Sequence, residues 1–220
     1  MRLENQNIII LTEQFSPSII TSYWLIKNKI FKEDEIGDES IFSKEVCQIA
    51  TERFNVIVFP SQINVVIKEI DKGANRESLE TVKALINSLP HIVYKAAGIN
   101  FSYNIPDKKF EGEELSKILF FNPKDELHGK FNNENAKFGT YLSMDFDKCR
   151  LKLDIKPSIL NRINKNGKPE QEVEEVISFA FNFHRDFGEM NAKEELNEHI
   201  SLWDSYSSYA KEITDIYKNY

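Results

Sequence analysis

Two aspartates in the second half of the chain, Asp145 and Asp147, are the residues whose type and spacing most directly suggest chemistry. One residue separates them, so both carboxylates would lie on the same side of a β-strand, close enough to share a divalent cation. Nuclease and phosphatase sites often contain such pairs. The same D-x-D-K sequence at the end of a hairpin is also typical of an ordinary turn. A hydrolase or nuclease dependent on a divalent metal is therefore our alternative hypothesis; otherwise we expect no cofactor.

The four histidines form no metal-binding motif, because none is spaced as HxxxH, HExxH or HxH. His91 follows Pro90 where a predicted helix meets a predicted strand, a position typical of a histidine that hydrogen-bonds to backbone. A catalytic or ligand role for His91 is the alternative. The tripeptide His184-Arg185-Asp186 matches the catalytic loop of kinases, but the glycine-rich loop that phosphoryl transfer requires is absent from the sequence. We therefore favour a protein without enzymatic activity.

The two cysteines, Cys47 and Cys149, lie in predicted strands among apolar neighbours and belong to no CxxC pair. Burial there would raise the thiol pKa and make both side chains inert. Free buried thiols are typical of a reducing compartment. The first residues do not match a signal peptide, and no stretch approaches the roughly 20 apolar residues of a membrane span. We expect a cytoplasmic protein that does not bind membranes.

Residues 78–103 predict a helix followed by a buried strand, and the rest of the fold is arranged around this pair. One face of the predicted helix carries five apolar residues: Leu79, Val82, Leu85, Ile86 and Leu89. Pro90 is expected to end the helix, because proline disfavours helical geometry in the residue before it. Residues 91–103 then alternate with apolar side chains on both faces, which is typical of a strand at the centre of a sheet.

Two residues of that strand, Gly98 and Asn100, are candidate binding residues. The small side chains around Gly98 would let a bulky group pack closely, and Gly98 would permit a β-bulge. Packing of a helix is the simpler explanation, and close approach of a ligand or a partner backbone is the alternative. Asn100 is polar within an apolar run, so it needs hydrogen-bond partners if it is buried.

Alternating patterns elsewhere predict two antiparallel meanders, each followed by a helix. The predicted strands cover residues 7–12, 19–26, 42–50, 54–59, 63–70, 137–146, 148–156 and 172–183, the last helix covers 192–218, and 157–169 is an exposed connection. We predict a single α+β domain over residues 1–220, with an antiparallel sheet and helices mainly on one face. Its pseudo-duplicated halves would be residues 1–106 and 107–220. Two domains divided near Pro106 are the alternative.

Parts of the first half resemble a scattered family of uncharacterised bacterial proteins. The similarity is strongest at residues 89–101, which match an LPHxxYxAxGINF block. A second similarity lies at residues 15–19, where Ser16 replaces the asparagine of the family pattern. The resemblance implies a coherent fold. It implies no reaction, cofactor or catalytic residue.

The charge and the aromatic residues favour a protein partner. The net charge of −7 disfavours nucleic acid as a partner. A nucleic-acid surface would have to use scattered lysines: Lys108, Lys109, Lys117, Lys124 and Lys130. The last helix carries tyrosines of the kind that anchor interfaces: Tyr206, Tyr209, Tyr217 and Tyr220. We therefore predict a protein-interaction or assembly protein that binds another protein or a second copy of itself.

Overall fold

The computed structural model describes residues 1–68, 72–89, 91–110, 113–131, 133, 135–163 and 169–218. Its strands are β1 (Arg2–Thr12), β2 (Ile41–Phe42), β3 (Cys47–Ala50), β4 (Phe54–Phe59), β5 (Gln62–Ile67), β6 (Tyr94–Pro106), β7 (Lys109–Phe110), β8 (Glu113–Glu114), β9 (Thr140–Phe146), β10 (Cys149–Ile163) and β11 (Pro169–Asp186). Its α-helices are α1 (Ser22–Lys27), α2 (Lys72–Asn87), α3 (Leu115–Phe120), α4 (Glu126–Lys130), α5 (Ala192–Ser201) and α6 (Trp203–Lys218).

Nine of these strands form one antiparallel sheet in the spatial order β2-β3-β4-β5-β1-β6-β11-β10-β9. The short strands β7 and β8 pair with each other. The predicted mixture of helices with an antiparallel sheet is confirmed. In the described part of the chain, no helix is long and apolar enough to cross a membrane.

The centre of the sheet is formed by β1 and β6. Ile8 of β1 lies opposite Ile99 of β6, and both side chains are fully buried. β6 buries Ile99 on one face and Ala96 on the other, as expected from a strand with apolar residues on both faces. The predicted central strand is confirmed, although it begins at Tyr94. Pro90 lies outside the described residues.

The helix that precedes β6 packs through the predicted apolar stripe. α2 begins at Lys72, earlier than predicted, and it buries Leu79, Val82, Leu85 and Ile86. The phenol of Tyr94 donates a hydrogen bond of 3.0 Å to the carbonyl oxygen of Ile86. This bond fixes α2 against the start of β6.

Aromatic side chains join α5 and α6 to the sheet. The ring of Phe101 on β6 lies 4.8 Å from that of Trp203, and Phe183 on β11 stacks on Tyr206 with 4.4 Å between ring centroids. The predicted helix over residues 192–218 is two helices, because Leu202 leaves helical geometry between α5 and α6. Tyr220 lies outside the described residues.

The predicted extended segment over residues 19–26 is wrong. Pro17–Ile19 form a 3-10 turn and α1 follows. The hydroxyl of Thr21 accepts a hydrogen bond of 3.1 Å from the backbone N–H of Trp24, which caps the helix. The local cap outweighs the β propensity of the isoleucines and the tyrosine.

The predicted strand over residues 42–50 is also divided. Ser43 makes a turn between β2 and β3, because its hydroxyl accepts the backbone N–H groups of Glu45 and Val46. β2 and β3 are therefore the two arms of a hairpin.

The predicted exposed connection over residues 157–169 is mostly strand. β10 continues through Pro157 to Ile163, and β11 begins at Pro169, while residues 164–168 lie outside the described residues. The pairing of β10 with β9 ends at Ile155. Pro157 is tolerated because it follows the end of that pairing, where β10 becomes an edge and the missing N–H has no ladder to interrupt.

Candidate functional site

The hairpin of β9 and β10 forms one edge of the sheet. Phe146 lies opposite Cys149, with Asp147 and Lys148 in the turn. Asp147 has a φ of 51°, the left-handed backbone that two-residue hairpin turns require. On β10, Leu151, Leu153 and Ile155 are buried, as their alternation with polar residues predicts.

Among the described residues, β9 pairs with β10 on one side only, and its other side is the outer edge of the sheet. Every second residue of such an edge directs its N–H and C=O away from the sheet. Three large apolar side chains of this seven-residue strand are exposed: Tyr141, Leu142 and Met144. β9 thus offers both free backbone groups and apolar side chains.

A groove of about 420 Å³ runs between β9, β10 and α6. We call it the α6–β9 groove, and it is lined by Leu142, Ser143, Met144, Leu151, Leu153, Tyr209, Ile213, Ile216 and Tyr217. The residues of α6 reach it because they recur at helical spacings of three and four. Of the described residues, those that line the groove carry no charge. It is suited to apolar groups.

A buried histidine lies behind this edge, where α5, α6 and β11 meet. His199 is fully buried, and its Nε2 lies 3.0 Å from the carbonyl oxygen of Phe183. A carbonyl only accepts, so Nε2 carries the proton and Nδ1 accepts from the hydroxyl of Tyr206 at 3.2 Å. Burial lowers the pKa of His199 to about 4. The ring is therefore neutral near pH 7 and serves as a structural hydrogen-bond bridge.

Both cysteines are free and buried, as predicted. Burial raises the pKa of Cys47 to about 12 and also raises the pKa of Cys149. The Cys149 thiol donates to the carbonyl oxygen of Phe146 at 3.1 Å. Neither thiol is poised to act as a nucleophile.

The predicted aspartate pair does not share one side of a strand. Asp145 lies on β9 with 90% of its side chain exposed, and its carboxylate is 2.8 Å from the guanidinium of Arg150. Asp147 lies in the turn. Asp154, on β10, pairs with Lys156 at 2.8 Å and lies opposite Tyr141. Across the described ranges of the chain, no group of three or more Asp, Glu, His or Cys side chains is placed to hold a metal.

His91 is exposed in the turn before β6. It is not on the same strand as Asp145, and two strands, β11 and β10, separate β6 from β9. The structure therefore leaves the three catalytic candidates on different elements. A catalytic role for any of them stays a prediction.

Asn100 has the partners that its polarity requires. Its amide nitrogen donates to Asn7 at 2.7 Å, and its oxygen accepts from Asn182 at 2.6 Å. These asparagines lie opposite one another on β1, β6 and β11, and together we call them the asparagine row. The row connects the two central strands to β11.

The space above Gly98 is filled by the asparagine row. A Cβ atom at this position would lie 2.5 Å from the amide nitrogen of Asn182. The group nearest to Gly98 is therefore the side chain of Asn182 on the neighbouring strand, and not the helix that the simpler explanation predicts. The pairing of β6 shows no bulge there. A binding role for Gly98 or Asn100 stays a prediction.

The α6–β9 groove is not predicted from the sequence. Two signals were available: the same-side positions of Leu142 and Met144, and the helical spacing of Tyr209, Ile213 and Ile216. Neither signal shows that these two elements are neighbours, because they are far apart in the chain.

Comparison of the chain with protein-family models and with curated proteins found no match.

Proposed function

We propose that this protein is a non-enzymatic protein-interaction or assembly protein that binds an extended polypeptide along β9. The observation that carries this proposal is the edge of β9, with which no described strand other than β10 pairs, beside the uncharged α6–β9 groove. An added strand forms backbone hydrogen bonds with the edge, while alternate apolar side chains enter the groove. The partner is therefore a segment with apolar residues at every second position.

The exposed apolar surface sets the expected strength of this interaction. Full burial of a leucine, methionine or isoleucine contributes about 1.5–3 kcal/mol. Leu142, Met144 and Ile216 are each about half exposed, so covering them contributes roughly 3 kcal/mol in total. Association itself costs at least about 4 kcal/mol. The backbone hydrogen bonds of the added strand must supply the remainder, and we expect an affinity that is moderate rather than very tight.

We further propose that the sheet consists of two related halves, with helices mainly on one face. A three-strand meander flanks each central strand: β3-β4-β5 beside β1, and β9-β10-β11 beside β6. A helix follows each meander, α2 in one case and α5 in the other. A cytoplasmic location is also part of the proposal and is supported by the two buried free thiols. Membership of the uncharacterised bacterial family is a proposal supported by the block at residues 89–101.

The function is tested with a fluorescently labelled peptide that carries the β9 sequence, residues 138–148. We expect the peptide to bind the protein, as measured by fluorescence anisotropy. Leu142→Lys places a charge in the α6–β9 groove and should weaken binding at least about tenfold, which corresponds to about 1.4 kcal/mol. Ile41→Lys is the matched control, because Ile41 lies on the opposite edge and is 51% exposed against 50% for Leu142. Absence of binding, or equal loss in both variants, would contradict the proposal.

A further inference from the structure

We propose that β9 pairs antiparallel with β9 of a second copy of this chain, about a twofold axis at Ser143. The inference rests on the proposed function, since it names the partner of the same edge. It joins two nine-stranded sheets into one continuous sheet.

The sequence of β9 is complementary to itself in this register. Leu142 of each copy lies opposite Met144 of the other, so apolar residues meet on the groove side of both copies. On the other side, Tyr141 lies opposite Asp145. Within β9 itself, no two like charges are directly opposed, because Asp145 is its one charged residue. A single register therefore places compatible residues opposite each other on both faces of the strand.

The twofold symmetry also places the two α6–β9 grooves next to each other. An antiparallel strand pair related by a twofold axis at one residue keeps the same side chains on the same side of the joined sheet. The grooves are then neighbours on one side, and the exposed Ile216 of each α6 borders the new interface. The apolar surface that is open in one copy is partly covered by the other.

β9 lacks the features by which proteins block edge pairing. It contains no proline or lysine, and its pairing with β10 shows no bulge. Its one charged residue, Asp145, is already paired with Arg150 within the sheet. The contact surface is therefore open to another strand. The net charge of the whole chain is −7, so each copy carries the same sign of charge. Two copies repel at long range, and salt should tighten their association by screening that repulsion.

The pairing is tested by Ser143→Cys, which places the two new thiols opposite each other at the axis. Opposed residues on antiparallel strands are about 4.5–5.5 Å apart at Cα, within the range of a disulfide. The native thiols are buried and do not compete. Ser43→Cys is the control, because Ser43 is an exposed serine beside the other edge strand, β2. Under a mild oxidant, Ser143→Cys should form disulfide-linked dimers at least about tenfold faster than Ser43→Cys, because pairing raises the local thiol concentration.

Sedimentation equilibrium gives an independent measurement. The wild-type protein and Ile41→Lys should sediment as dimers, and Leu142→Lys should sediment as a monomer. Circular dichroism should show that Leu142→Lys is folded. A monomeric wild-type protein, or a dimer that Leu142→Lys does not weaken, would overturn the inference, as would equal cross-linking of the two cysteine variants. If the β9 peptide still binds the monomer, the proposed function stands with another partner. If the peptide does not bind either, both proposals fail.

Discussion

The two flanks of the sheet are built from different cores. On the β2 flank, which comprises β2 to β5 and α2, the strands bury mainly aliphatic and β-branched residues such as Ile49, Val56 and Val65. On the β9 flank, which comprises β9 to β11 with α5 and α6, the core is largely aromatic and contains the buried His199. The stability of the β9 flank therefore depends on a few large side chains and on the hydrogen bonds of one titratable residue, His199. The stability of the β2 flank depends on many contacts between smaller side chains.

The flanks also end differently. β2 has two residues, too few to guide a long strand from another molecule, whereas β9 has seven and an apolar groove beside it. Short edges protect proteins against uncontrolled pairing. Under the proposed function, strand addition is restricted to one edge, so that an assembly would close as a pair instead of growing into a fibre.

The largest expected effect is a loss of stability of the β9 flank in acid. The pKa of His199 is about 4 in the folded protein and 6.5 is its ordinary value, so between these values the unfolded chain binds the proton more readily. Stability is fully present above about pH 6.5 and falls as the pH drops towards 4. The difference between these two pKa values corresponds to a loss of about 3 kcal/mol in the free energy of unfolding.

Urea unfolding at pH 7 and pH 4.5 measures this loss. His199→Phe removes the titrating group, so its free energy of unfolding should depend less on pH than that of the wild type. His91→Asn is the control for an exposed histidine and should keep the wild-type dependence. Hydrogen exchange in acid should rise on β11, α5 and α6 before it rises on β3 to β5. An unchanged pH dependence in His199→Phe would contradict the role assigned to this side chain.

The next effect concerns the asparagine row, which joins the flanks across the centre of the sheet. Gly98→Ala should lower the free energy of unfolding by about 1–3 kcal/mol, because its Cβ displaces the amide of Asn182 and strains the bond to Asn100. The double variant Gly98→Ala with Asn182→Ala removes the clash. It should lose less than the sum of the two single variants in urea unfolding, and a fully additive result would show that the contact does not matter.

The strands of both flanks could largely be predicted, whereas the contacts between distant segments could not. β4 and the first part of β10 follow from alternating apolar residues, a local property of the sequence. α1 depends on the hydroxyl of Thr21, which outweighed a β-prone stretch. The need of Asn100 for partners was visible, but Asn7 and Asn182 are 93 and 82 residues away along the chain. The α6–β9 groove could not be predicted for the same reason, since the sequence does not show which helix lies beside the edge strand.

A smaller effect is expected for the hydroxyl that holds His199. Tyr206→Phe leaves the stacking on Phe183 in place but removes the donor to Nδ1 of His199. A buried acceptor without its partner costs about 1–2 kcal/mol, measured as a lower free energy of unfolding in urea. Tyr209→Phe is the control, because Tyr209 lines the open groove. Equal changes in the free energy of unfolding of the two variants would mean that the buried hydrogen bond does not stabilise the β9 flank.

The smallest effect is expected at the charged residue of the β9 edge. Asp145→Ala breaks an exposed pair with Arg150, and such pairs contribute little to stability, so the melting temperature should not change measurably. Mg²⁺ or Mn²⁺ should not raise the melting temperature of the wild type, because Asp145 and Asp147 lie on different elements and Asp145 is held by an arginine. A metal-induced rise that Asp145→Ala abolishes would instead support the metal-dependent hydrolase. Binding of the β9 peptide should survive this substitution, since the apolar groove and the backbone edge, and not the carboxylate, distinguish β9 from β2.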